Sequence, residues 1–270
     1  MKLERSNQHA DMSTKSETEP PTSAVAETST EASPLLSPSS EPFTFTLRRA
    51  ALSDIPCMAS LAASAYLSSH MSDFLSPGRY AYLGEHTYGY SQRIRYRMLS
   101  PRCVSVIAIS STGLPVGYAQ FVRHGDDPAA LEHERRGNTW GFAFTKPWLY
   151  ARFAWDHLTF KDRSASPQAM KSLMASGDSW RGEIPRRWHA QSVVVSPGHQ
   201  RRGIGKALME ETMERSRKEG VPLGLEASPE GEKLYTKLGF ELKRRFEMVI
   251  EGEEEQGGLM VYWPPGCDRE

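Results

Sequence analysis

The sequence predicts an α/β domain built on a mixed sheet with strand–helix crossovers. Three observations carry this reading. Over residues 43–263, β-rich runs and helical stretches follow the order β-α-α-β-β-insert-β-α-β-α-β-β. One pair of β-rich runs brackets a Gly/Pro turn, as a hairpin does. A Val-rich run also passes through a glycine turn straight into an amphipathic helix, as a crossover does.

The elements follow in chain order. F-T-F-T-L-R-R (43–49) alternates apolar and polar residues, the period of a half-buried strand. Ser53 or Asp54 then caps a helix with Pro56 in its first turn and Ile55, Met58, Leu61, Ala62, Ala65 and Tyr66 along it. A second helical stretch spans 86–99. The runs 103–110 and 116–122 flank S-T-G-L-P and form the hairpin. Residues 123–187 are too many for an ordinary loop and read as a helical or aromatic insertion, with a helix starting at Pro147. Its aromatics, from Phe142 to Phe160, suit either core packing or an acceptor pocket.

Strand character returns at 186–195. A helix follows over about 203–218, with Ile204, Ala207, Leu208 and Met213 for burial, Glu211–Arg215 and Glu214–Lys218 as i,i+4 pairs, and Gly220 as its stop. A strand at 221–227, a short helix at 231–238 and a closing β-pair, 240–250 with 258–263 around an acidic loop, complete the domain. The domain spans 43–265. Residues 1–42 are dominated by Ser, Thr, Pro, Glu and Ala and hold no Phe, Trp or Tyr, a composition that predicts a disordered tail.

Composition removes several function classes. The chain has 270 residues with 33 basic and 33 acidic side chains, which argues against a general nucleic-acid or membrane-surface role. No run approaches the roughly 18 apolar residues of a membrane span. Cys57, Cys103 and Cys267 form neither a disulfide framework nor a zinc spacing. No metal is expected, and the expected compartment is the cytosol, with the nucleus open.

V-S-P-G-H-Q-R-R-G-I-G-K-A-L (195–208) carries the chemistry. Arg201, Arg202 and Lys206 crowd a helix start, where the dipole disfavours cations by a few tenths to about 1 kcal/mol each. A diphosphate held by the first-turn amides makes the same cations favourable, and glycines let it approach the backbone. Two common glycine motifs fail here. Gly198 and Gly203 have Walker spacing, but Ile204-Gly205 replaces Lys-Ser/Thr. The dinucleotide pattern needs glycine where Leu208 stands.

Gln200-Arg201-Arg202-Gly203-Ile204-Gly205 resembles the Gln/Arg-x-x-Gly-x-Gly/Ala signature of the GNAT superfamily of acyl-CoA-dependent N-acetyltransferases. Leu234-Tyr235-Thr236-Lys237-Leu238-Gly239-Phe240 resembles the second hallmark of that family, a short helix with Tyr that ends in Gly-Phe. The resemblance covers roughly 43–263 and is specific over 189–240. It implies a central mixed, mostly antiparallel sheet flanked by helices, with the insertion lying between the third and fourth strands. It also implies acetyl-CoA as co-substrate, whose pantetheine pairs with Val193, Val194 and Val195. The pyrophosphate would lie among Gln200, Arg201, Arg202, Gly203, Ile204, Gly205 and Lys206, and Ser228 would make a polar cofactor contact. Tyr235 would protonate the departing thiolate. An oxyanion donor near Val195 completes the set.

Acyl transfer to an amine also needs a base. His189 is the candidate, on one face with Gln191, Val193 and Val195 by strict alternation. Tyr235 is equally readable as a helix residue packed on the sheet. His124, His133, His157 and His199 read as surface or structural residues. The expected function is acetyl transfer to an amine-bearing acceptor of unspecified identity by a monomer or homodimer. The alternative is an inactive CoA-binding scaffold.

Overall fold

The computed structural model describes residues 43–175, 180, 183–246 and 257–269. The expected tail, the acidic loop 251–255 and the end of the run 240–250 lie outside the described residues. Among the described residues seven strands form one sheet: β1 (Phe45–Arg49), β2 (Cys103–Ser110), β3 (Pro115–His124), β4 (Arg187–Val195), β5 (Leu223–Ala227), β6 (Glu241–Arg245) and β7 (Gly258–Tyr262). Their spatial order is β1-β2-β3-β4-β5-β7-β6. Every neighbouring pair is antiparallel except β4–β5, which is parallel. The mixed, mostly antiparallel sheet is as expected.

The helices are α1 (Ile55–Ala65), α2 (His70–Leu75), α3 (Leu83–Met98), α4 (Pro128–Gly137), α5 (Trp140–Thr159), α6 (Pro167–Ala175), α7 (Ile204–Glu219) and α8 (Pro229–Lys237). α7 covers one face of the sheet. Its Ile204, Leu208, Met209 and Met213 join Phe121, Trp188, Ala190, Leu223 and Leu225 in the largest core cluster. Ala207, expected in that core, is only half-buried, and Met209 is buried instead. α7 ends at Gly220, whose φ of 62° is left-handed, and Glu211–Arg215 (2.8 Å) and Glu214–Lys218 (3.4 Å) pair along its outer side. On the other face, Met58 and Ala62 of α1 and Ile94 of α3 pack on Ile107, Tyr118 and Val194.

Two sequence expectations change. α2 was not anticipated; it is a six-residue helix whose N-cap, Ser69, accepts from the Ser72 N–H at 3.2 Å. α5 starts at Trp140 rather than Pro147, which lies inside the helix. Proline lacks an N–H and clashes one turn back, so it kinks or weakens a helix that begins earlier without having to begin it.

Helices α4, α5 and α6 lie between β3 and β4. α4 is tied to the sheet by Arg123. This fully buried guanidinium reaches Asp127, the α4 N-cap, at 2.7 Å and Glu219 at the end of α7 at 2.6 Å. α5 rests on the outside of α3, where Phe153 meets Tyr96 at 5.3 Å and Asp156 meets Arg95 at 3.5 Å.

Candidate functional site

The site forms where two neighbouring strands separate. β4 pairs in parallel with β5 only over Trp188–Ala190. Beyond that, from Gln191 to Val195, the β5-facing edge of β4 has no strand partner among the described residues. The other edge stays paired with β3 up to Gly117↔Val195. Val193, Val194 and Val195 therefore carry a free backbone edge, as the resemblance implies.

The register with β3 jumps from Phe121↔Ala190 to Gln120↔Ser192, so Gln191 is the extra residue of a β-bulge. A bulge reverses the facing of every residue beyond it. Trp188 and Ala190 face the α7 core before it, and Val193 and Val195 face the same core after it, while Val194 faces α1 and α3. His189 consequently lies on the face opposite Val193 and Val195. This corrects the alternation expected from the sequence, because no residue type in H-A-Q-S-V announces the bulge.

The glycine turn follows directly. Pro197–His199 form a single 3-10 turn, and Gln200 leaves it in extended conformation. Gly203 caps α7 with φ 81°, a left-handed value that favours glycine. Arg201 is left-handed too, at φ 61°, which for a side-chain-bearing residue costs on the order of 1–3 kcal/mol. The N–H groups of Ile204, Gly205 and Lys206 fall in the first helical turn, ahead of any intrahelical acceptor. Arg201, Arg202 and Lys206 are all exposed. Lys206 reaches Glu210 at 3.5 Å, and Arg202 lies 4.8 Å over the Phe43 ring. A Cβ at Gly205 would sit 3.2 Å from Leu234 and 3.7 Å from Val195, so the turn, β4 and α8 converge there.

α8 brings in Ser228 and Tyr235. Ser228 Oγ caps the helix by accepting from the Gly231 N–H at 3.2 Å and keeps its own proton to donate. Tyr235 is half-buried on the α7 core, 5.7 Å from the Phe240 ring. Burial pushes its phenol up to about 12. The same side chain is thus both packed on the sheet, as one reading had it, and protonated at neutral pH, as the other requires.

Sequence reasoning missed the partners of His189. Its Nε2 lies 2.7 Å from Glu226 Oε2 on β5, and the Trp180 indole N–H donates to Glu226 Oε1 at 2.6 Å. Burial raises the Glu226 pKa, but the hydrogen bond and charge of His189, together with the Trp180 N–H, outweigh it and leave the carboxyl below its usual range. Trp180 lies so close to β5 that a Cβ at Gly224 would stand 2.6 Å from its ring, a contact only glycine permits. The one available signal was an acid within the otherwise apolar strand L-G-L-E-A (223–227). Nothing in the sequence pairs it with a histidine 37 residues earlier.

Of the other histidines, His124 lies 5.7 Å from the His189 ring and His133 stands edge-on to Trp188. His199 is against Phe43, and the His157 side chain lies outside the description. Phe153 and Phe160 pack on α3, whereas Phe144, Trp148 and Trp155 are exposed. Among the described residues, no three His, Cys, Asp or Glu side chains cluster as a metal site would require, and no helix is long and apolar enough to cross a membrane.

Residues 171–242, from α6 through β4, the glycine turn and α8 into β6, match the acetyltransferase (GNAT) domain family model. An acetyltransferase of Stachybotrys chartarum is 25% identical over 218 residues, covering 79% of this chain and 87% of that protein. The crystal structure of histone acetyltransferase HPA2 and related acetyltransferase from Corynebacterium glutamicum superposes with a TM-score of 0.54 at 17% identity, covering 84% of this chain and 99% of that one. That likeness shows a shared fold. The signature turn thus sits between an opened β4–β5 pair and α7, inside the stretch that matches the acetyltransferase (GNAT) domain model.

Proposed function

We propose that the chain transfers the acetyl group of acetyl-CoA to a primary amine of a small molecule or peptide, by direct attack in a ternary complex. The observation that carries this reading is the loss of β4–β5 pairing at Gln191, directly before an α7 N-terminus ringed by three exposed cations. A strand edge with free amides and a left-handed, side-chain-free entry to a helix fit an extended amide chain ending in a diphosphate. The strain at Arg201 is of the kind that persists where a binding loop is over-determined by its surroundings.

Acetyl-CoA supplies an activated acyl thioester when bound. Val193, Val194 and Val195 would pair with its pantetheine arm, and an N–H near Val195 would face the acyl oxygen. The Gln200–Lys206 segment, with its Arg201, Arg202 and Lys206 charges, would hold the pyrophosphate, and Ser228 Oγ would donate to the cofactor. Burial pushes the Tyr235 phenol up to about 12, so it holds a proton at Oη, which it would release to sulfur. With His189 Nε2 directed at Glu226, Nδ1 is the nitrogen left to take a proton from the acceptor amine. Glu226 acts through His189 by fixing its tautomer and stabilising the imidazolium. No metal has a part in this scheme.

On this reading 43–265 is the catalytic domain with 123–187 inserted, 1–42 is dispensable for chemistry, and the setting is cytoplasmic or nuclear. The test is free-thiol release by the purified full chain from acetyl-CoA with a panel of small amines and peptides. Amine-dependent release supports the reading. No amine raising release above hydrolysis, at saturating acetyl-CoA, overturns it.

A further inference from the structure

Helix α5 presents two opposite stripes. The inner one holds it on α3: Leu149 and Asp156 are buried, and Asp156 accepts from Arg152 at 2.9 Å as well as pairing with Arg95. The outer stripe, Phe144, Trp148, Ala151, Trp155 and Leu158, follows 4-3-4-3 spacing, the seam of a helix made to pack on another helix. Its large side chains are mostly solvent-exposed: Phe144 is 78% exposed, Trp148 and Trp155 65% each and Leu158 82%. Aromatic side chains present about 150–250 Å² each, so Phe144, Trp148 and Trp155 at these exposures, together with Leu158, expose on the order of 600 Å². That reaches the top of the range for the largest apolar patch on a typical monomer and approaches the roughly 800 Å² each partner gives to a standard interface.

We propose that this stripe is the contact surface of a two-fold homodimer. The order of residues selects the occupant. Read outward from Ala151, both directions meet a tryptophan and then another large apolar residue, Trp148 and Phe144 one way, Trp155 and Leu158 the other. An antiparallel copy related by a two-fold axis at Ala151 sets Trp148 of each chain beside Trp155 of the other, and the two alanines allow the axes to approach to about 8–10 Å. Arg152, next to the axis, is drawn aside by Asp156 and by the Tyr88 hydroxyl at 3.0 Å, so like charges do not meet there. A lipid surface would need the apolar face but not its mirrored order.

Sedimentation equilibrium of the full chain tests this. The expected mass is near twice 30.3 kDa at micromolar concentration, falling to 30.3 kDa in Trp148→Glu and in Trp155→Glu with helical content unchanged. Ala151→Cys, a mild substitution, should form an intermolecular disulfide under gentle oxidation that the parent chain does not form. A mass of 30.3 kDa at every concentration overturns the proposal, including the case in which the monomer sediments with anionic vesicles. A dimer that survives both tryptophan substitutions and is not trapped by Ala151→Cys overturns it too.

Discussion

Replacing Glu226 by glutamine removes one charge and keeps the shape of the side chain. In the native site its carboxylate takes His189 at 2.7 Å and Trp180 at 2.6 Å. A hydrogen bond to a charged group contributes about 1.5–3 kcal/mol, against about 0.5–1.5 for a neutral pair. The difference is roughly 1–1.5 kcal/mol, and because the Glu226 side chain is 36% exposed, solvent screening brings it toward about 1 kcal/mol. If His189 removes the amine proton in the rate-limiting step, Glu226→Gln lowers kcat about fivefold. The KM for acetyl-CoA should stay the same, since Glu226 lies outside the glycine turn. The assay is initial-rate thiol release at fixed pH with saturating acetyl-CoA. His189→Ala should cost about a hundredfold or more. Glu226→Gln placed on top of His189→Ala should then cost nothing further, because both act through one group. Full activity in Glu226→Gln, or an undiminished fivefold loss in the double variant, would refute the coupling.

Tyr235→Phe should lower kcat by about 10²-fold or more while leaving acetyl-CoA binding and thermal stability near those of the parent chain; calorimetry alongside kinetics separates these outcomes. Because the Tyr235 phenol titrates at about 12, it should contribute no basic limb to the rate profile below about pH 11. Arg123→Leu strands Asp127 and Glu219 beside a buried site and should cost about 3–5 kcal/mol, read as a loss of roughly 6–20 °C in Tm by scanning calorimetry. Asp54, through its hydrogen bonds from Arg48, and Asp127, where burial is outweighed only by the charge and hydrogen bond of Arg123 together with the Ala130 N–H and the charge of Arg186, both sit below the ordinary carboxylate range. Their stabilisation is present above about pH 4 and lost as pH falls through the depressed folded values, so Tm should decline progressively on acidification from there.

Elements whose signals are local were legible in the sequence. Gly220 marks the end of α7, the Gly/Pro turn marks the β2–β3 hairpin, and the glycine turn marks the start of α7, where the proposed pyrophosphate site lies. What stayed hidden depends on partners distant in sequence or on a single backbone irregularity. The bulge at Gln191, one extra β4 residue set against an unbroken β3, reversed the predicted face of His189. Glu226 and Trp180 join His189 only because β5 runs parallel to β4 and Gly224 admits an indole. Pro147, read as a helix start, sits inside a longer helix because proline perturbs the turn before it without ending the helix there. Local patterning led to the proposed cofactor cradle, and tertiary pairing to the proposed acid–base pair.

The central claim is that the turn after β4 holds acetyl-CoA, and isothermal titration with acetyl-CoA tests it most directly. Gly205→Asp is the comparison. Its Cβ would meet only the flexible end of Leu234 at 3.2 Å and Val195 at 3.7 Å, and an acid in the first turn of a helix favours the helix while repelling a phosphate. Micromolar binding to one site per native chain is expected, with loss of that binding in Gly205→Asp and no drop in Tm. A native chain that binds no acetyl-CoA, or a Gly205→Asp variant that binds it as tightly as the native chain, would contradict it.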